Sequence, residues 1–333
     1  MSPASHPANH TLAICGGVGG AKLALGLYHL LKPGGLGVVV NTGDDFEHLG
    51  LHISPDIDTL LYTLAGCNNP ETGWGRADET WTFMSVLESL GGATWFQLGD
   101  GDLALHVERT ARLRAGENLT QVCAALAGRM GLHARILPMS DDPARTIVHT
   151  PDGPLPFQHY FVKEACRPRV TGITIEGADS ARPNPAFLDS LADPALRAAV
   201  ICPSNPYLSI DPILAIPGVR AALQACAAPV VAVSPIIGGR AVKGPTAKIM
   251  AELGVSVNNR TIAAHYAGLI DGLVIDSQDG SEADALPLPV HVTRTLMTSL
   301  EDRTGLARSL LEFAARLDTR VTPPAAAQFE AAT

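Results

Sequence analysis

Thr11-Leu12-Ala13-Ile14-Cys15-Gly16-Gly17-Val18-Gly19-Gly20-Ala21-Lys22 is the stretch that sets the fold. Thr11 to Cys15 fit a short buried strand, glycines follow at once, and apolar residues then recur at helical spacing from about Ala21 to Leu31. A second apolar run, Leu36 to Val40, ends in Asn41-Thr42-Gly43-Asp44-Asp45. Strand, glycine turn, helix and strand in that order open a parallel sheet. The expected class is α/β: a Rossmann-like, mainly parallel sheet flanked by helices, with a smaller α+β insertion.

Outward from there, helices are expected near Asp56, over Asp78 to Leu90, Leu103 to Arg114 and Leu119 to Met130, with a strand at Trp95 to Leu98. The character changes after Ile136-Leu137. Thr146 to His149 and Leu155 to Phe161 read as a hairpin joined across Asp152-Gly153, which Val170 to Ile175 continues. The α/β rhythm returns at Ala199 to Cys202, Pro229 to Val233 and Leu269 to Ile275, and Leu306 to Leu317 is the last helix. This divides the chain into 11–139, a nucleotide- and metal-binding part, and 140–195, a lid or dimer contact. Residues 196–318 complete the α/β domain, and 319–333 form a frayed tail.

Composition narrows the function. A chain of 333 residues, 46% hydrophobic, can bury a large core. A net charge of -9 with no Lys/Arg stripe disfavours nucleic acid. The six cysteines, Cys15, Cys67, Cys123, Cys166, Cys202 and Cys226, form no close pair, so neither a disulfide framework nor a Cys-based zinc site is expected. No charged n-region precedes an apolar stretch at the N-terminus, and no apolar run reaches ~18 residues. A cytoplasmic protein away from membranes is expected.

Three features carry chemistry. A glycine loop before a helix offers backbone N–H groups and a helix N-terminus to an anion. It is not a Walker A loop, since Leu23 follows Lys22, nor the dinucleotide fingerprint, since Lys22 holds the third glycine position; tight helix–sheet packing is the bland alternative. Second, four aspartate pairs, Asp44-Asp45, Asp56/Asp58, Asp100/Asp102 and Asp141-Asp142, fall just after strands or at helix starts. Such positions converge on the crevice at the strand carboxyl ends. Acids beside a phosphate loop imply a hard cation between them, hence Mg2+. Third, Pro203-Ser204-Asn205-Pro206, Ser234 to Gly239 and Lys243 add uncharged or basic donors suited to a nucleotide. His106 lies near the Asp100/Asp102 pair, and His159, in the expected hairpin with Phe157 and Gln158, could give a flat ligand an aromatic platform.

In their joint order, the glycine loop, Asn41 to Asp45, Pro55-Asp56-Ile57-Asp58-Thr59, Leu98-Gly99-Asp100, Met139 to Pro143, Pro203 to Pro206 and Ser234 to Gly238 resemble the 2-phospho-L-lactate transferase (CofD) family. The resemblance spans about residues 12–280. It implies a Rossmann-like, homodimeric, magnesium-dependent enzyme of coenzyme F-420 biosynthesis, whose partners are small molecules. The terminal ribityl hydroxyl of a deazaflavin would attack the phosphate that bears a hydroxy acid, releasing GMP. The acid would be 2-phospholactyl, enolpyruvyl phosphate or 3-phosphoglyceryl. Fitted onto this chain, the nucleotide falls to Gly17, Gly19, Gly20, Lys22, Ser204, Asn205, Pro206, Gly238 and Lys243. Asp58 sits at the deazaflavin and the reaction centre, with Gln97 and His159 beside it; Gln97 stands where a basic residue is common. Asp58 and Asp45 are the catalytic candidates, and Asp44, Asp45 and Asp58 the metal candidates.

Two rivals belong to other classes. A non-catalytic regulator that binds a nucleotide sugar would share the fold and the glycine loop. A nicotinamide-dependent oxidoreductase would share the sheet opening, but the third glycine is missing.

Overall fold

The computed structural model describes residues 10–71, 73–241 and 244–317. His10–Cys15 lies inside a seven-stranded parallel sheet, paired with Leu36–Val40 on one side and Leu196–Ile201 on the other. Arg135–Pro138 continues the first side. Val230–Val233, Gly272–Asp276 and Val290–Thr293 continue the second. Four of these strands are buried along their whole length, which is why they read as unbroken apolar runs rather than alternating ones. Helices cover both faces and give the sheet two apolar cores. Gly26 lets the helix Leu300–Arg316 lie against Gly17–Leu30, since a Cβ there would sit 2.1 Å from the Arg303 carbonyl oxygen.

Strand order reverses beside His10–Cys15: one neighbour follows directly in sequence, and the other comes some 180 residues later. At such a switch point the loops at the strand ends part, and a crevice opens between them. The loops are Gly16-Gly17 and Pro203-Ser204. They meet closely, for Ser204 Oγ donates to the Gly16 carbonyl at 2.8 Å and accepts from the Gly16 N–H at 3.2 Å.

The expected hairpin is present as Arg145–Thr150 with Gly153–Pro156, and Gly172–Glu176 adds a third antiparallel strand. Its second arm is shorter than expected. At Gln158 the chain turns into a π-helical segment, His159–Lys163. Trp95 to Leu98 is not a strand. Its rings pack on Phe46 and His48, and Leu98 joins a small cluster with Ile53 and Met84, so its apolar character serves a satellite core. The helix expected from Asp78 begins only at Thr82, because Asp78 has a φ of 55°. The hairpin Phe46–His48/Leu51–Ile53 and the edge strand Val290–Thr293 were not expected. The tail 319–333 lies outside the described residues. Among the described residues no helix is long and apolar enough to cross a membrane.

Candidate active site

A cleft of about 640 Å³ runs from the switch point to an aromatic wall. At the switch point the glycines do two jobs. A Cβ on Gly16 would lie 2.5 Å from Asp56 Oδ2, one on Gly19 2.5 Å from the Pro203 carbonyl oxygen, and one on Gly20 2.5 Å from Cys15 Cβ. Close packing alone therefore requires three of them, which bears out part of the bland reading. Gly17 begins the helix with a φ of 64° and donates its N–H to Asp56 Oδ1 at 2.8 Å. One donor of the helix N-terminus thus already holds a carboxylate, and a ligand has the rest of the first turn.

The aspartates divide into groups. Asn41 Nδ2 bridges Asp44 Oδ1 at 3.1 Å and Asp56 Oδ2 at 3.0 Å, and both acids line the cleft. Burial holds the Asp44 carboxyl well above its ordinary range, with the Asp56 and Asp45 charges adding to it and Asn41 opposing. Burial likewise pushes Asp56 up to about 6 against the hydrogen bonds of Asn41 and Gly17. Asp45 is beside them but off the cleft lining, accepting from Ser54 Oγ at 2.8 Å and facing His52 Nε2 at 3.1 Å.

Asp58 also lines the cleft, two residues beyond Asp56 on the same helix. Arg109, fully buried, grips both its oxygens. Burial pushes the Asp58 carboxyl up, and the Arg109 and His106 charges work against that. Behind Asp58 the polar chain continues. His106 Nδ1 lies 3.3 Å from Arg109 Nη1, and His106 Nε2 lies 3.2 Å from Asp102 Oδ2. Tyr62 donates to Asp102 Oδ1 at 2.6 Å. Burial works against the Asp102 charge, but the His106 and Tyr62 bonds prevail and hold its carboxyl below the usual range.

Of the other two expected pairs, only Asp100 and Asp141 cap helices. Asp100 accepts the Thr82 and Phe83 N–H groups, and Asp141 accepts from Thr120. Asp142 pairs with the exposed Arg182.

Among the nucleotide candidates, Lys22 lines the cleft and donates to the Met297 carbonyl at 3.1 Å. Ser204 and Asn205 line it too. Asn205 Oδ1 caps the π-helical turn Pro206–Ile210, while its buried Nδ2 has no partner among the described residues. Gly20, Pro206 and Gly238 are off the lining; Gly238 donates to Asp279, and its neighbours Ser234, Pro235 and Ile237 are on the wall. Lys243 lies outside the described residues. Gln97 is exposed at the rim with its amide on the Thr94 carbonyl, and His159 sits off the lining, edge-on to Trp95 at 4.7 Å.

Sequence reading missed Asn41, Arg109 and Tyr62 as site residues, together with Trp74, Phe96 and Phe161 of the aromatic wall; Phe157 and Gln158, expected beside His159 as an aromatic platform, do line the cleft. One signal was there. Asp102, His106 and Arg109 stand at i, i+4 and i+7, on one face of their helix.

Comparison with known proteins identifies the family. The family described as "2-phospho-L-lactate transferase CofD" matches residues 11–288. A phosphoenolpyruvate transferase of Kitasatospora aureofaciens is 40% identical over 313 residues, 91% of this chain and 97% of that one. A 2-phospho-L-lactate transferase of Methanopyrus kandleri is 39% identical over 312 residues, 91% of this chain and 97% of its own. Among solved structures, a UPF0052 family protein of Bacillus halodurans superposes with a TM-score of 0.59 over 91% of this chain and 99% of that chain, at 14% identity, which supports the fold alone.

Proposed function

Since the chain belongs to the 2-phospho-L-lactate transferase (CofD) family, we propose that it moves a phospho-hydroxyacid group from a guanosine diphosphate conjugate to the terminal ribityl hydroxyl of a deazaflavin, with GMP leaving. The observation that carries this reading is one continuous cleft, with a helix N-terminus at the switch point at one end, aromatic rings at the other, and buried acids between. A two-substrate phosphoryl-linked transfer needs those three parts side by side. Phosphates sit on N–H donors, a flat acceptor lies on rings, and a base and charge-neutralising group stand at the junction.

The chain's own groups divide the work as follows. The first turn of Gly17–Leu30 and Lys22 hold the diphosphate, and Ser204 fixes the loop geometry. Asp58 takes the proton of the attacking alcohol, whose pKa is far too high for ionisation unaided. Arg109 holds that carboxylate in place, and the aromatic wall excludes water from the acceptor. Magnesium fits between the ends. Asp44 and Asp56 are crowded, desolvated and cleft-facing, a donor set that a hard cation relieves while phosphates and water complete its shell. When bound, it would neutralise charge on the phosphates. Of the other metal candidates, Asp45 lies off the cleft lining and Asp58 already faces the Arg109 charge.

The test is a mixing experiment. Protein, magnesium and the deazaflavin alcohol are combined with each guanylylated acid in turn, and mass spectrometry follows GMP and the new phosphodiester. Product from one donor establishes the transfer and names the acid. GMP without a deazaflavin product means hydrolysis. A bound nucleotide with no product from any donor moves the assignment to a nucleotide-binding regulator.

A further inference from the structure

Gln158 is buried in the cleft wall, and its amide has no hydrogen-bond partner among the described residues. The amide keeps contact with water in the open cleft, so a ligand that fills the cleft must replace that water's hydrogen bonds or lose affinity. Its surroundings say what would satisfy it. Gln158 heads the π-helical turn His159–Lys163, flanked by Phe157 and Phe161, whose rings stack at 5.3 Å with planes 22° apart. Both rings line the cleft, as do Trp74 and Phe96. The partner is therefore a flat, largely apolar ring system with a polar edge.

We propose that Gln158 is a specificity-determining residue that reads the imide edge of the acceptor heterocycle. A primary amide presents one donor and one acceptor side by side. Its complement is an N–H next to a C=O, the pattern on the pyrimidinedione ring of a deazaflavin. A carboxylate would use only the donor, and a hydrocarbon edge neither. The inference rests on the transferase reading above and adds to it the atom pair by which the acceptor is chosen. Sites built to bond a ligand's N–H discriminate against analogues lacking it, because their own polar group is then stranded.

The test crosses two acceptors with two proteins. The wild type and Gln158→Leu are assayed with the deazaflavin alcohol and with its N3-methyl analogue. In the wild type, methylation should raise the acceptor KM by ~10- to 100-fold. Gln158→Leu should raise the KM of the parent acceptor by a similar factor, leave kcat within about twofold, leave the donor KM unchanged, and show no further penalty for methylation. An unchanged acceptor KM in Gln158→Leu, a methylation penalty that persists in full, or a rise confined to the donor KM would overturn the proposal while the transferase stands. If Gln158→Leu does not fold, the wild type decides alone: a preference under about twofold for the unmethylated acceptor overturns it. No transfer by the wild type with any donor sinks the transferase reading, and this inference with it.

Discussion

At one end of the cleft a single added methyl group on Gly16, Gly19 or Gly20 would meet another atom at 2.5 Å, twice a rigid neighbour. At the other end Trp74 is 53% exposed and Phe161 40%, with apolar rings open to solvent. The first wall is fixed by backbone sterics and by strands buried on both faces. The second is held by side chains on loops and a π-helical turn, and tolerates change. If the proposed transfer uses the cleft in that way, donor binding would be tied to the stability of the fold, whereas acceptor binding could be altered without touching it. Loops on a rigid scaffold commonly carry such a division.

The strongest test of that contrast lies between the walls. Asp58→Asn should lower turnover by ~100- to 10,000-fold while donor binding persists. It should also cost about 3–5 kcal/mol of stability, read from urea midpoints, because Arg109 is left as an uncompensated buried charge. Wild-type-like turnover would remove Asp58 from the chemistry.

The next effect is one of pH. The Asp56 carboxyl sits at about 6 in the fold, above its unfolded value near 3.9. Between those values the native state keeps a proton that the unfolded chain has lost, so stability falls as pH rises through the window. Asp56 alone should contribute at most about 3 kcal/mol of that decline in the protein without ligands, and the decline should shrink by that amount in Asp56→Asn. Denaturation at pH 4 to 7 measures it, and a level profile in the wild type would show the glycine wall free of electrostatic strain.

Gly19→Ala should cost about 1–3 kcal/mol and weaken donor binding together, since the new Cβ meets the Pro203 carbonyl. Donor affinity retained at lower stability would uncouple what the contrast ties. The smallest change is Phe161→Ala, with stability within about 0.5 kcal/mol and an acceptor KM raised ~5- to 10-fold at constant donor KM. A donor KM that moves as well would erase the distinction between the walls.

The rigid wall was also the legible one. A buried strand, glycines and a helix leave a local pattern, and Asp44, Asp56 and Asp58 stand close to the strand ends that aim them. The aromatic wall leaves little: Trp74, Phe96 and the pair Phe157 and Phe161 come from three separated parts of the chain and converge only in three dimensions, so only Phe157, beside His159, was in view. Trp95 to Leu98 looked like a strand because burial in a satellite core enriches the same residues as burial in a sheet. Arg109 was hidden for another reason. A helix reading Asp100-Gly101-Asp102 to Arg112-Leu113-Arg114 has the composition of a solvated surface, and nothing local shows that one guanidinium meets an acid 51 residues away. Val290–Thr293 is short, partly exposed and edge-placed, so it lacks the apolar run that marked its neighbours.

The bond from the Gly17 N–H to Asp56 has a consequence for traffic. Cells are full of stray oxyanions, and an unguarded helix N-terminus would collect them. Here the protein carries its own resident anion at that spot, so inorganic phosphate or sulfate meets repulsion where it would otherwise find a welcome. Only a ligand that arrives with compensating positive charge, and with enough other contacts to offset the displacement, gains from settling there. The same carboxylate that makes the empty cleft uncomfortable thereby keeps it vacant for its proper guest.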